Sequence, residues 1–225
     1  MLTVHHLQRG QSERIVWLCE ELGIPYELKT YKRNPKTYRS PDELAKLHPT
    51  GAAPVIQDGD VLLAETGAIT EYILNKYGEG KLVVGPDEPN YADYLYWLHF
   101  ANGYFQPALS KYMTAERAGE DPQTSTNPSM FFIRRGRNVS LQMLEDRLKN
   151  NQWLAGDKFT AADIMNVWCC TTMRLFAPYS LEGYDGILAW LKRVGERPAY
   201  RRAMAKGDPG LEPLLGPEKP SFLKL

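Results

Sequence analysis

The sequence predicts an α/β first part followed by an all-α second part, and three observations carry that prediction. Residues 2–31 run strand, helix, strand within about thirty positions, the minimum span of a βαβ unit. Residues 54–77 then run strand, tight turn, strand, helix. After the Gly- and Pro-bearing stretch Gly78–Asn90, strand patterning stops and apolar residues recur at helical spacing.

Each element has a local cause. Leu2–Leu7 is a short run with β-branched content, broken by Gln8-Arg9-Gly10-Gln11. Ser12–Leu22 places Ile15, Leu18, Cys19 and Leu22 at helical intervals, and Gly23 and Pro25 stop it in the usual order. Tyr26–Tyr31 alternates as a strand, Asn34–Arg39 is a polar, basic loop, and Pro41–Leu47 suits a short helix. Pro54–Gln57 and Val61–Ala64 flank Asp58-Gly59-Asp60, a hairpin signal. Thr66–Tyr77 puts Ile69, Ile73 and Tyr77 on one helical face. Strands that first alternate with helices and then pair directly imply a small mixed sheet covered by helices.

Gly78–Asn90 reads as a linker. The domains are set at 1–80 and 91–225, with 81–90 between them. In the second part, helices are expected over Tyr91–Tyr112, Ser129–Lys149, Thr160–Phe176, Gly186–Val194 and Pro198–Lys206. The tail Gly207–Phe222 carries too much Gly and Pro for regular structure. No internal repeat is visible.

Bulk composition excludes several classes. The 225 residues suit one or two domains, and 43% apolar content suits a real core. Lys+Arg and Asp+Glu are both 27, so no basic field points to nucleic acid. The first ten residues hold no signal-peptide core, and no apolar run nears the ~18 residues of a membrane span, so a cytoplasmic protein is expected. The three cysteines, Cys19, Cys169 and Cys170, have no metal-like spacing and read as buried, reduced thiols. No metal is expected.

Two joints raise the functional question. Pro54 heads a strand, where a residue without an N–H is tolerated; it is either a plain strand-initiating proline or a cis-proline that turns the Ala53 backbone outward. Glu65-Thr66 opens a helix, either as a simple cap or as a receiver for a ligand carboxylate. Thr160 and Asp163, in Phe159-Thr160-Ala161-Ala162-Asp163-Ile164, have the spacing of a reciprocal capping box and read as structural.

Three segments, Ser12–Glu27, His48–Ile73 and Phe159–Ile164, together resemble the cytosolic glutathione transferase family of bacterial and fungal type. The resemblance covers nearly the whole chain. It implies a thioredoxin-like N-terminal domain (βαβ–ββα), an all-helical C-terminal domain with a hydrophobic pocket, glutathione as co-substrate, and a detoxifying homodimer. The family carries a cis-proline at the position of Pro54 and a Glu-Ser pair at Glu65-Thr66, where threonine keeps the hydroxyl. Ala53 would then pair with the cysteinyl part of glutathione, Pro54 would hold that geometry, and Glu65 and Thr66 would hold the γ-glutamyl end. Arg39 falls where related classes meet the glycyl carboxylate, with Lys36 as a nearby rival. Several relatives carry a lysine at the position of Ala52.

The thiolate-activating group is less plain. The family's Tyr, Ser or Cys after the first strand is missing, and Gly10 stands where bacterial and fungal relatives often have Ser. Ser12 is the hydroxyl of that segment and also stands where an N-cap belongs. Gln11 matches the Asn of Nu-class relatives, which are associated with disulfide reduction and peroxidase-like chemistry. Arg9 either adds positive charge or is a solvated loop residue. Ser12 and Gln11 are the catalytic candidates. His5 and His6 alternate on a strand, one facing in and one out, and read as structural. His99, Tyr104 and Phe105 lie on the segment that lines the hydrophobic pocket in the family, and Gln106 resembles a residue that reaches glutathione across a dimer in the zeta class.

Two functions follow. One is an enzyme that conjugates glutathione to hydrophobic electrophiles or uses it to reduce peroxides or disulfides. The other is a transferase-like protein that binds glutathione or hydrophobic ligands, or serves in assembly, without turnover. No nucleic acid and no membrane enter either.

Overall fold

The computed structural model describes residues 1–223. These form two compact units, Met1–Val83 with Arg193–Pro213, and Val84–Lys192 with Leu214–Leu223. The first unit is the thioredoxin-like one. Its elements are β1 (Leu2–Leu7), α1 (Glu13–Leu22), β2 (Tyr26–Tyr31), α2 (Asp42–Ala45), β3 (Val55–Asp58), β4 (Val61–Ala64) and α3 (Thr66–Tyr77). The sheet order is β2-β1-β3-β4, with β1 and β2 parallel and the other pairs antiparallel.

All six residues of β1 are buried, because helices cover both faces of the sheet there. This corrects the expectation that one of His5 and His6 faces out: they are 3% and 0% exposed. His5 Nδ1 lies 2.8 Å from the Tyr31 hydroxyl, and burial pushes the His5 pKa below its usual value. Gly23 ends α1 in the left-handed region at φ 67°, and its N–H is bonded back to the Cys19 carbonyl. Gly59, at φ 61°, makes the tight turn between β3 and β4.

Residues 193–213, placed in the helical part by sequence, belong to the first unit. The reason is packing of α9 (Pro198–Gly207) on α1. Trp17 meets the Tyr200 ring edge-on at 4.9 Å. Glu21 accepts from Arg197 at 2.6 Å, and Glu20 accepts from Arg202 at 3.0 Å and Lys206 at 2.5 Å.

Asp58, at the end of β3, ties the hairpin to α3. It accepts from Lys76 Nζ and the Tyr77 hydroxyl, both at 2.6 Å, and from the Tyr72 hydroxyl at 2.9 Å. The Lys76 ammonium first, and the two phenols after it, hold its carboxyl at about 2, down from 3.8. A depressed carboxylate pKa contributes stability above the unfolded value and loses it as pH falls through the folded one. Asp58→Asn is therefore expected to be less stable than wild type at pH 5–7. The gap should close as pH falls from about 4 to about 2. Urea unfolding at stepped pH checks this, and a pH-independent gap contradicts it.

The second unit is helical: α4 (Tyr91–Phe100), α5 (Gln106–Arg117), α6 (Pro128–Asn150), α7 (Ala161–Cys170) and α8 (Asp185–Glu196), the last shared at its C-terminal end with the first unit. A π-turn over Ala101–Phe105 joins α4 to α5. Pro107 has no N–H for the Gly103 carbonyl, and the chain widens into the turn just before it. The helix expected over Thr160–Phe176 stops at Cys170 and continues as a 3-10 turn, Thr172–Leu175, because Thr171 leaves helical dihedrals. Thr160 and Asp163 form the reciprocal capping box that the sequence predicts. Glu145 of α6 caps α8 by accepting from the Gly186 and Ile187 N–H groups, both at 3.0 Å. The three cysteines are free and buried. Among the described residues, no helix is long and apolar enough to cross a membrane.

Candidate functional site

The hairpin register builds the first unit's candidate site. Val55 pairs with Ala64, so the residues just before β3 lie beside those just after β4. Ala53-Pro54 and Glu65-Thr66 are thereby brought together. The Ala53–Pro54 bond is cis. Ala53 is 7% exposed, and its N–H makes no hydrogen bond among the described residues, a rare state for a buried backbone donor.

Glu65 caps α3. It sits at φ 76° and its Oε1 accepts from the Gly67 N–H at 3.3 Å. Thr66 is the first residue of α3 and is 2% exposed. Its hydroxyl makes no hydrogen bond among the described residues. The site thus offers a backbone N–H, a hydroxyl and the positive end of a twelve-residue helix, with a carboxylate beside them. Such a set receives a peptide-like ligand that carries a carboxylate next to an ammonium.

Gln11 joins this group. Its Nε2 donates to the Ala53 carbonyl at 3.1 Å, which puts an amide donor of the β1–α1 turn against the cis-proline segment. That carbonyl, expected to be open for ligand pairing, already accepts one bond.

Ser12 stands at the N-cap position of α1 without capping it. Its side chain makes no capping bond, and its own dihedrals are helical. It is 0% exposed, and its Oγ lies 2.9 Å from His6 Nδ1 and 3.1 Å from the Leu7 N–H. On the far side of His6, Nε2 lies 3.1 Å from Asp208 Oδ2, and Asp208 Oδ1 accepts the Arg9 N–H at 2.6 Å. Hydroxyl, imidazole and carboxylate stand in line as in a nucleophilic triad. All three are buried, however, and the hydroxyl is tied to the Leu7 backbone, so the line is a brace for the turn. No pattern near His6 could have announced Asp208, which is 202 positions away.

The cation candidates stay at the margin. Arg39 and Lys36 are exposed on the 34–39 loop, which an Asn34 side chain folds by accepting from the Lys36 and Thr37 N–H groups. A second set of cations lies closer to the β1–α1 turn. Gln8, Arg9, Lys32, Arg33 and Pro35 line a cavity of about 370 Å³.

In the second unit the expected pocket residues separate. Tyr104 is 41% exposed and lines a groove of about 200 Å³ with Pro107, Phe132 and Ile133. Phe105 is 0% exposed and is a core residue, which corrects its assignment to a pocket. The π-turn rotates the helix phase at this point, sending Phe105 inward and Tyr104 outward. His99 is exposed and Gln106 half-buried, and neither lines that groove. No cluster of metal-ligating side chains occurs among the described residues.

Comparison with known proteins matches two family models. Residues 2–75 match the N-terminal domain of glutathione S-transferases, and residues 133–198 match their C-terminal domain. Glutathione S-transferase 3 of Schizosaccharomyces pombe is 30% identical over 223 residues, covering 92% of this chain and 88% of its own. Glutathione S-transferase 1 of Saccharomyces cerevisiae is 26% identical, with 92% and 95% covered. Among solved structures, a glutathione S-transferase from Actinobacillus pleuropneumoniae superposes with a TM-score of 0.80 at 31% identity over 94% of this chain and 95% of that one. The transferase URE2P8 of Phanerochaete chrysosporium, solved with oxidized glutathione, has a TM-score of 0.71 at 23% identity, covering 91% of this chain and 94% of that one, and shares the fold.

Proposed function

The chain belongs to the glutathione S-transferase family, and from that premise we propose that it binds glutathione along the cis-proline edge and transfers its thiolate to an electrophile. One observation carries this: the Ala53 N–H without a partner, beside the Thr66 hydroxyl and the α3 N-terminus. An extended peptide adding to that edge would satisfy the N–H. Thr66 and the first N–H groups of α3 would take the γ-glutamyl carboxylate, with the Glu65 carboxylate near its ammonium. Arg39 or Lys36 would meet the glycyl end.

The bond at Ala53 supports Gln11 as the group nearest the cysteinyl sulfur. Its amide, with the positive end of α1, would favour the thiolate over the thiol. A catalytic role for Ser12 has no support of this kind, since its hydroxyl is buried against His6. In the transfer, the thiolate sulfur forms a bond to the electrophilic carbon and the leaving group departs with the electron pair. The exposed aromatics Tyr96, Tyr104, Phe131 and Phe132 support a homodimer, and Tyr104 supports a pocket for an apolar substrate in the helical unit.

The test is direct. Calorimetric titration with glutathione should show binding, weakened by roughly 1–3 kcal/mol in Thr66→Ala, the cost of a hydrogen bond to a charged group. Turnover of a chlorodinitrobenzene-type electrophile, assayed beside a peroxide, should show conjugation. Unchanged affinity in the variant removes Thr66 from the site. Binding without turnover of either substrate replaces the enzyme with a binding protein.

A further inference from the structure

The cavity lined by Gln8, Arg9, Lys32, Arg33 and Pro35 lies in the first unit and contains three cationic side chains and no carboxylate. It shares a turn with Gln11, two residues beyond Arg9. Its construction is not that of a solvated charge run. Arg9 sits at φ 56°, a left-handed conformation that a long side chain adopts at a cost. That conformation is over-determined: the Arg9 N–H is held by Asp208, which is 4% exposed, and the Arg9 carbonyl accepts from the Arg33 guanidinium at 3.4 Å.

Arg33 is fixed as well, donating to the Tyr38 carbonyl at 3.1 Å. Gly10 fits this turn because a Cβ there would lie 2.7 Å from the Leu7 carbonyl oxygen and 3.1 Å from Arg33 Nη2. Asp208 meets Arg9 only at the backbone N–H, and the Arg9 and Lys32 side chains form no ion pair among the described residues. Burial lowers the pKa of Arg33, with Asp208 opposing, so its charge is partly stripped of water. A cavity lined by three cationic side chains and no carboxylate, with Asp208 bonded to the Arg9 backbone behind it, is complementary to an anion.

We propose that this cavity receives an anionic group of the electrophile, so that the substrates of the site are carboxylate-bearing electrophiles. The proposal rests on the transferase reading and names its substrate class. Arg9 and Arg33 present forked donors, Lys32 adds a mobile charge, and Gln8 offers an amide whose Nε2 is 3.3 Å from the Gly207 carbonyl. The anion would anchor the electrophile beside the turn that carries Gln11.

The experiment uses the full chain at saturating glutathione, with a chloronitrobenzoate and its methyl ester as paired electrophiles. Variants are Arg9→Asn, chosen because asparagine tolerates the left-handed region, exposed Lys32→Gln, and the double. Wild type should favour the carboxylate over the ester by about tenfold or more in kcat/KM, the scale of a charge-assisted contact. The double variant should bring that ratio to about one. A ratio near one in wild type, or a preference that survives in the double variant, overturns the proposal. So does a matching loss of glutathione affinity in the double variant, which would assign the cavity to the glycyl carboxylate. If neither electrophile turns over, the transferase reading fails separately. Calorimetry with unreactive nitrobenzoate against its methyl ester then decides the cavity: selective carboxylate binding lost in the double variant upholds it, and equal binding of both overturns it.

Discussion

Asp163→Ala lowers the stability of the helical unit by about 3–5 kcal/mol, the scale of orphaning several donors of a buried carboxylate. The carboxylate is 0% exposed and accepts from three donors. The Thr160 N–H at 3.1 Å closes the capping box of α7. The Leu154 N–H at 3.0 Å fixes the preceding loop. The Trp190 indole N–H at 2.9 Å, on α8, joins a second helix to the same atom. Alanine leaves all three without an acceptor, in a place water does not reach. Thr160→Ala loses only a cap bond and should cost about 1 kcal/mol. Thermal unfolding followed by tryptophan fluorescence should place Asp163→Ala roughly 6–20 °C below wild type, at ~2–4 °C per kcal/mol for a chain of this size. A drop no larger than that of Thr160→Ala would show that the box alone matters and that the Trp190 bond is incidental.

That capping box was legible because its logic is local: a hydroxyl and a carboxylate three residues apart at a helix start. The same holds for the hairpin turn at Gly59 and for the joint at Glu65-Thr66. Each depends on residues within one or two turns of chain. The fold class followed from the order of such elements, and the family resemblance was carried by the same segments.

What the sequence hid depends on distant partners or on phase. His6 looked like one half of an in-and-out pair because period two says so, but helices on both faces of the sheet bury both histidines. Ser12 stood where a cap belongs, yet its hydroxyl is drawn to His6, which strand geometry places behind it. The family resemblance assigns Tyr104 and Phe105 alike to a pocket-lining segment. A π-turn, invisible in a segment apolar on most faces, sends one to the core and the other to the surface. The basic cavity is not legible in sequence because Arg9 and Lys32–Arg33 are over twenty positions apart and meet only through the parallel pairing of β1 and β2.

Asp208→Ala should cost about 3 kcal/mol, less than Asp163→Ala, because two donors rather than three lose a buried carboxylate. The bond directions can be derived. The Leu7 N–H can only donate, so Ser12 Oγ accepts it at 3.1 Å. The Ser12 proton can go to His6 Nδ1 at 2.9 Å or to the Leu7 carbonyl at 3.5 Å; the shorter contact takes it, which leaves Nε2–H to donate to Asp208 Oδ2 at 3.1 Å. The Arg9 N–H donates to Oδ1 at 2.6 Å. Every polar atom in this line is then satisfied, with the ring proton that faces Asp208 on Nε2. Asp208→Asn keeps an oxygen for the Arg9 N–H but presents an NH2 to His6. The imidazole must then accept at Nε2, carry its proton on Nδ1 and donate to Ser12 Oγ, whose own proton turns to the Leu7 carbonyl at 3.5 Å. The asparagine variant should therefore recover about half of the loss while reversing the tautomer. Nitrogen-15 shifts of the His6 ring read this directly: Nε2–H in wild type and Nδ1–H in Asp208→Asn. A wild-type ring protonated on Nδ1 alone would reverse every bond direction from Ser12 to Asp208 and refute the derivation.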